Sequence, residues 1–114
     1  MPIEYGQVIR DAVGDLGCEI EIEPGRNIVG NADILLSEVV FLKHGEGRDF
    51  LILDAAMNDL IRPAMYDAHH DIVPVARPEV GAPVAPVDVV GPVCETGDTF
   101  ARGVDLPRLG AGDL

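Results

Sequence analysis

The chain has 114 residues and a formal charge of −12, with twenty acidic residues against eight basic ones. Phosphate backbones and anionic bilayers are recognised by clustered Lys and Arg, so this balance argues against nucleic acid and membrane surfaces as partners. Hydrophobic residues make up 47% of the chain, more than so small a domain hides in its own core, which predicts a non-autonomous chain: one that keeps an apolar face for a partner or has part of its core elsewhere.

Met1-Pro2-Ile3-Glu4 lacks the basic start and apolar core of a secretory signal, and no apolar run reaches the length of a membrane span. From residue 3 to 16, Tyr5, Val8, Ile9, Ala12, Val13 and Leu16 recur at helical spacing, predicting an amphipathic helix with Gly17 as its C-cap. Cys18-Glu19-Ile20-Glu21-Ile22-Glu23 alternates with period two, predicting a strand with isoleucines on one face and glutamates on the other. Pro24-Gly25-Arg26 follows at once. Proline ends a ladder, glycine admits unusual backbone angles, and exposed amides beside an arginine can hold an anion. A helix and a strand ending in such a turn suit the active face of an α/β barrel, although the tripeptide also suits a plain surface turn.

Residues 27–33 read as a connector, and the composition shift near residue 31 marks a domain boundary. A hairpin is predicted next: a strand over Ile34–Leu42, a turn at His44-Gly45-Glu46-Gly47, and a strand over Phe50–Asp54. Asp54–Tyr66 reads as a loop in which Arg62, preceding Pro63, is pushed toward an extended conformation. Arg62 and Tyr66 projecting together suit a carboxylate ligand; an ordinary salt bridge from Arg62 is the competing reading. His69-His70 is a poor metal pair, because adjacent residues on a strand face opposite ways and no third ligand follows at suitable spacing, so no metal is expected. Residues 74–86, with Pro74, Pro78, Pro83 and Pro86, read as a loop or extended connector.

Asp88-Val89-Val90 is a β-branched run broken by Gly91-Pro92, after which Cys94 and Glu95 stand side by side before the turn Thr96-Gly97-Asp98. Two readings stand: a buried structural thiol beside a solvated acid, or two reactive groups presented at the end of a strand. Cys18 and Cys94 are far apart and in no metal-ligand spacing, which suits a reduced, cytoplasmic protein. Residues 100–114, with Pro107, Gly103, Gly110 and Gly112, read as turn-rich, and their ending looks cut.

Three motifs appear in order: Glu23-Pro24-Gly25-Arg26, then Asp54-Ala55-Ala56-Met57-Asn58-Asp59-Leu60-Ile61-Arg62-Pro63, then Gly91-Pro92-Val93-Cys94-Glu95-Thr96-Gly97-Asp98. Together they resemble the C-terminal part of the ornithine–diaminopimelate–arginine decarboxylases, enzymes of the alanine racemase-like barrel superfamily that use pyridoxal 5'-phosphate. The second and third motifs are particular to the diaminopimelate branch. The resemblance implies a mixed, mainly β chain. Residues 1–30 would be the last helix and strand of a truncated TIM barrel, and residues 31–114 most of a C-terminal β-sandwich or β-barrel domain.

It also implies decarboxylation of meso-2,6-diaminopimelate to L-lysine by a cytoplasmic homodimer with shared active sites. Glu23 would hold the pyridine nitrogen protonated, and Pro24, Gly25 and Arg26 would form the phosphate-binding turn, with the Arg26 side chain reaching substrate. Arg62 and Tyr66 would hold a substrate carboxylate, Glu95 the distal ammonium, and Cys94 would return the proton to the α-carbon. A thiol suits that last step because its pKa lies close to neutrality. The family's cofactor lysine lies before the first of these motifs, and Lys43 is wrongly placed to replace it, so the chain alone is expected to be inactive. A family tyrosine that contacts the cofactor is expected beyond Leu114. Asp33 stands where the family usually has glycine, and His69 where an aromatic is common. The competing readings are a non-catalytic β-domain that serves as an interaction module, and a decarboxylase of another basic amino acid.

Overall fold

The computed structural model describes residues 2–114 and divides into two compact units, the first ending at Ile34 and the second running from Leu35 to Leu114. In the first, the apolar periodicity forms helix α1, Pro2–Val13. It stops at Val13 rather than Leu16, because Gly14 is a poor helix residue; Leu16 N–H closes a last turn on Val13 O at 3.3 Å, and Gly17 at φ 64° redirects the backbone. The apolar stripe of α1 is largely uncovered, with Tyr5 43% and Val8 65% exposed.

Residues 19–24 keep their period-two pattern but form no ladder. A strand's hydrogen bonds come from its neighbours, and among the described residues none pairs with this segment, so the predicted strand is not realised here.

The second unit is built on a four-stranded mixed sheet in the order β1-β2-β3-β4. Strands β1 (Val39–His44) and β2 (Asp49–Leu53) form the predicted hairpin, with Gly45 N–H closing the turn on Arg48 O at 3.0 Å. The first strand starts at Val39, not Ile34. Ahead of it, Glu38 N–H donates to the Asp54 carboxylate at 2.8 Å, and Ala55 N–H donates to Ser37 Oγ at 3.2 Å. One backbone bond, from Asp54 N–H to Glu38 O at 2.9 Å, and these side-chain bonds together replace a longer ladder.

Strand β2 runs parallel to β3 (Val84–Val90), which obliges a long crossover, and the segment between them carries the short helix α2 (Arg62–Tyr66). Strand β3 then pairs antiparallel with β4 (Thr99–Pro107). Each strand sends one residue to the core: Val39, Leu51, Val89 and Leu106 are at most 5% exposed, with Val89 at 0%. Valine and leucine at alternate positions of β2 and β3 make that shared face, and burying it is the main force holding the sheet together.

Three expectations are corrected here. Arg62 opens helix α2 instead of lying extended, because Pro63 falls in the first turn, where its missing N–H has no helical partner to lose. Pro86 belongs to β3, in the part of the strand that precedes the ladder with β2, which begins at Val87. Residues 99–107, read as turn-rich, form the longest strand; Gly103 does not interrupt it but takes φ 61° at a bulge opposite Asp88. Beyond β4 the tail is tied back, with Val39 N–H donating to Asp113 O and Val75 N–H to Leu114 O, both at 2.8 Å.

Candidate active site

In the first unit, Pro24 (φ −69°, ψ 5°) and Gly25 (φ 57°) lead into a 3-10 turn over Gly25–Asn27. Only glycine adopts that left-handed angle without cost, and the space over its α-carbon is open. Glu23 and Arg26 are exposed, and neither side chain has a hydrogen bond or ion pair among the described residues. A free carboxylate, an open glycine backbone and a free guanidinium are the donor and acceptor set that a protonated ring nitrogen and a phosphate require.

In the second unit, the segment after β2 is shaped by carboxylates that accept backbone N–H groups. Asp59 accepts Ala56 N–H at 2.8 Å, folding Ala55 and Ala56 inward to 7% and 5% exposure. Asp54 accepts both the Ser37 hydroxyl and Glu38 N–H, and the serine, followed by that amide, holds its carboxyl below the usual carboxylate range. The chain then enters α2. Residues four apart share a helix face, and the Arg62 guanidinium lies 5.3 Å from the centroid of the Tyr66 ring. Arg62 and Tyr66 therefore do project together, from a helix rather than a loop. Arg62 Nε is buried without a hydrogen-bond partner, so the salt bridge weighed against a ligand role is not made among the described residues. Asp67, in the left-handed region at φ 49°, ends the helix, with its N–H donating to Pro63 O at 3.1 Å.

The Gly91–Asp98 segment is a tight turn rather than a strand extension. Glu95 N–H donates to Val93 O at 2.8 Å, and Asp98 N–H to Glu95 O at 3.0 Å. Cys94 is exposed, not packed as a structural thiol, and Glu95 beside it is exposed too. The Glu95 carboxylate accepts Gly97 N–H within its own turn.

Asp98 organises this region, and motif spacing alone gave it no role. It is 2% exposed; Oδ1 accepts Met57 N–H at 2.6 Å and Oδ2 accepts Val93 N–H at 2.7 Å. One carboxylate thus bonds the segment leading to Arg62 and Tyr66 to the turn bearing Cys94 and Glu95. Gly91 makes room for it, since a Cβ at that position would overlap the carboxylate. The available signal was an acid following a Gly-Pro break and a tight turn, a setting in which carboxylates often serve backbone amides.

Comparison with known proteins defines the class first. Residues 11–114 match the family described as pyridoxal-dependent decarboxylase, C-terminal sheet domain, and the chain belongs to that family. Within it, the chain is 50% identical over 111 residues to the diaminopimelate decarboxylase of Pseudomonas aeruginosa, an alignment that covers 97% of this chain and 26% of the relative. Among solved structures, a protein from Aquifex aeolicus superposes with a TM-score of 0.87 at 41% identity, covering 98% of this chain and 27% of that one. The Helicobacter pylori diaminopimelate decarboxylase complexed with L-lysine superposes with a TM-score of 0.82 at 42% identity, covering 96% and 26%. The chain therefore spans about a quarter of the length of the curated relatives it matches. Among the described residues, no helix is long and apolar enough to cross a membrane.

Proposed function

We propose that this chain serves as part of a pyridoxal-phosphate-dependent diaminopimelate decarboxylase, converting meso-2,6-diaminopimelate to L-lysine in the cytoplasm as a homodimer with shared sites. The observation that carries this reading is Arg62: a guanidinium set over the Tyr66 ring, with its Nε buried and unpartnered, on a segment bonded to the Cys94–Glu95 turn through Asp98. A buried donor without a partner is costly, and an incoming carboxylate would relieve that cost.

The residues of the first unit fit the cofactor. Glu23 would hold its ring nitrogen in the protonated form, while the Gly25 backbone and Arg26 would take its phosphate. Pyridoxal phosphate, when bound, supplies the electron sink that lets an α-carboxyl group depart as carbon dioxide. Arg62, with Tyr66, holds the carboxylate that stays, fixing the substrate's far end. Glu95 receives the distal ammonium, which favours a diamino acid over a neutral one. To do so its carboxylate exchanges the Gly97 N–H for the substrate. Cys94, exposed beside it, delivers a proton to the α-carbon that lost its carboxylate.

The test uses the full-length polypeptide, meaning this segment with the remaining length that its relatives possess. Carbon dioxide release is measured with meso-diaminopimelate, ornithine, arginine and lysine. Release from meso-diaminopimelate alone is expected; equal turnover of ornithine or arginine would assign the protein to another basic amino acid. The uncovered stripe of α1 favours the rival reading, an interaction module without catalysis, and a full-length protein that binds no pyridoxal phosphate would establish it.

A further inference from the structure

We infer that Asp98 is a positioning residue: its buried carboxylate locks the Cys94–Glu95 turn to the segment that carries Arg62 and Tyr66, so that proton donor and carboxylate anchor are set by one group. The catalytic half of this statement rests on the function proposed above; the clasp itself rests on geometry alone.

The case begins with what surrounds the carboxylate. Asp98 is 2% exposed and has no cation against it among the described residues, so backbone amides alone satisfy its charge. Its two oxygens are divided between two segments, Met57 N–H at 2.6 Å and Val93 N–H at 2.7 Å. Its own backbone closes the turn from within, because Gly91 N–H donates to Asp98 O at 3.0 Å. The fit is also steric. A Cβ at Gly91 would fall on the carboxylate, so the turn keeps glycine where Asp98 folds back on it.

Charge-assisted bonds of this kind are about twice as strong as neutral ones, and neither segment has a ladder of its own. Met57 stands five residues before Arg62, and Val93 immediately before Cys94. A shift of either amide is therefore passed to a side chain that must meet the substrate.

Two variants interrogate the clasp by different routes. Asp98→Asn keeps the shape but has only one acceptor oxygen, so one of the two amides must face an NH2 group. Gly91→Ala keeps the charge and displaces the carboxylate. In the full-length protein, hydrogen exchange resolved to single amides should show the protection of the Met57 or Val93 amide falling about tenfold or more in Asp98→Asn, and of both in Gly91→Ala. Unchanged protection of both amides overturns the clasp, whatever the activity.

In the full-length enzyme, Asp98→Asn is expected to lower kcat by about tenfold or more. That loss should shrink severalfold in a Cys94→Ala background, because the part of the clasp that acts through the thiol is then already gone. An equal loss in both backgrounds marks a merely structural role and overturns the positioning assignment. A wild-type enzyme without decarboxylase activity overturns the proposed function, and the exchange experiment then still decides the clasp.

Discussion

The bulge in β4 offers a clean test of which interaction stabilises the sheet where it leads into the candidate site. Asp88 is 8% exposed; its Oδ1 accepts Gly103 N–H at 2.9 Å, and its Oδ2 lies 3.2 Å from Arg48 Nη1. The ion pair looks like the stronger bond, but the Arg48 side chain is 58% exposed, and pairs of that kind contribute about 0–1 kcal/mol. The amide bond differs, because a bulge leaves its extra residue without a ladder partner and the carboxylate replaces it. A hydrogen bond to a charged group contributes about 1.5–3 kcal/mol, and water reaching the exposed Gly103 recovers some of that on mutation.

Asp88→Ala should therefore cost about 2 kcal/mol, and Arg48→Ala less than about 1 kcal/mol. Asp88→Asn retains an acceptor for Gly103 and should behave like Arg48→Ala, helped slightly because the chain carries a charge of −12 and sheds one acid. Urea unfolding of the three variants, compared at constant m, measures the differences directly. The reasoning fails if Asp88→Asn costs as much as Asp88→Ala, or if Arg48→Ala costs as much as either.

Val89→Ala, at the fully buried centre of the sheet, should destabilise the chain by about 1–3 kcal/mol in the same assay, since two methyl groups leave a cavity that all four strands line. In the full-length enzyme, Cys94→Ala should slow turnover at least about tenfold while leaving the cofactor's affinity and absorption spectrum unaltered; unimpaired turnover would remove the thiol from the reaction. Asp54 titrates below its ordinary value of 3.8, so its contribution to stability is complete above that value and is lost as pH falls through the lower folded one. Ser37→Ala removes the main cause, so the Asp54 pKa followed by NMR should rise and the acid-side loss of stability attributable to it should shrink.

The hairpin, the helix at the N-terminus and the sheet's apolar runs were legible because period and turn chemistry act within a few residues. The failures share a cause, which is that glycine and proline report local permission and not their neighbours. Gly103 and Pro107 suggested turns where a partner strand, β3, tolerates one as a bulge and the other as a last pair. Arg62-Pro63 suggested extension where a five-residue helix could start on the proline. Cys18 to Glu23 suggested a strand by its pattern, but among the described residues nothing pairs with it. For the candidate site, adjacency made Cys94 and Glu95 visible, and family resemblance supplied the roles proposed for them. Asp98 stayed hidden because its partner Met57 lies 41 residues away and donates through its backbone, which carries no side-chain signature.

That difference shows how the second unit could be so open and yet hold the proposed site. The side chains proposed to meet a ligand keep vacant capacity: among the described residues Arg62 Nε has no partner, and Cys94 and Glu95 are exposed. Their positions are instead fixed through the main chain, by carboxylates at 54, 59 and 98 that accept backbone amides on the segments around them. Apart from Glu95, which also accepts Gly97 N–H, the framework acids and the proposed functional groups are separate sets of residues. A chain of strongly negative charge can use its acids this way because amides, unlike lysines, are always present to receive them. It follows that removing a ligand-facing group such as Arg62 or Cys94 should disturb chemistry more than folding, whereas removing a framework acid should disturb both. The ratio of the two effects, measured residue by residue, assigns each acid to its set.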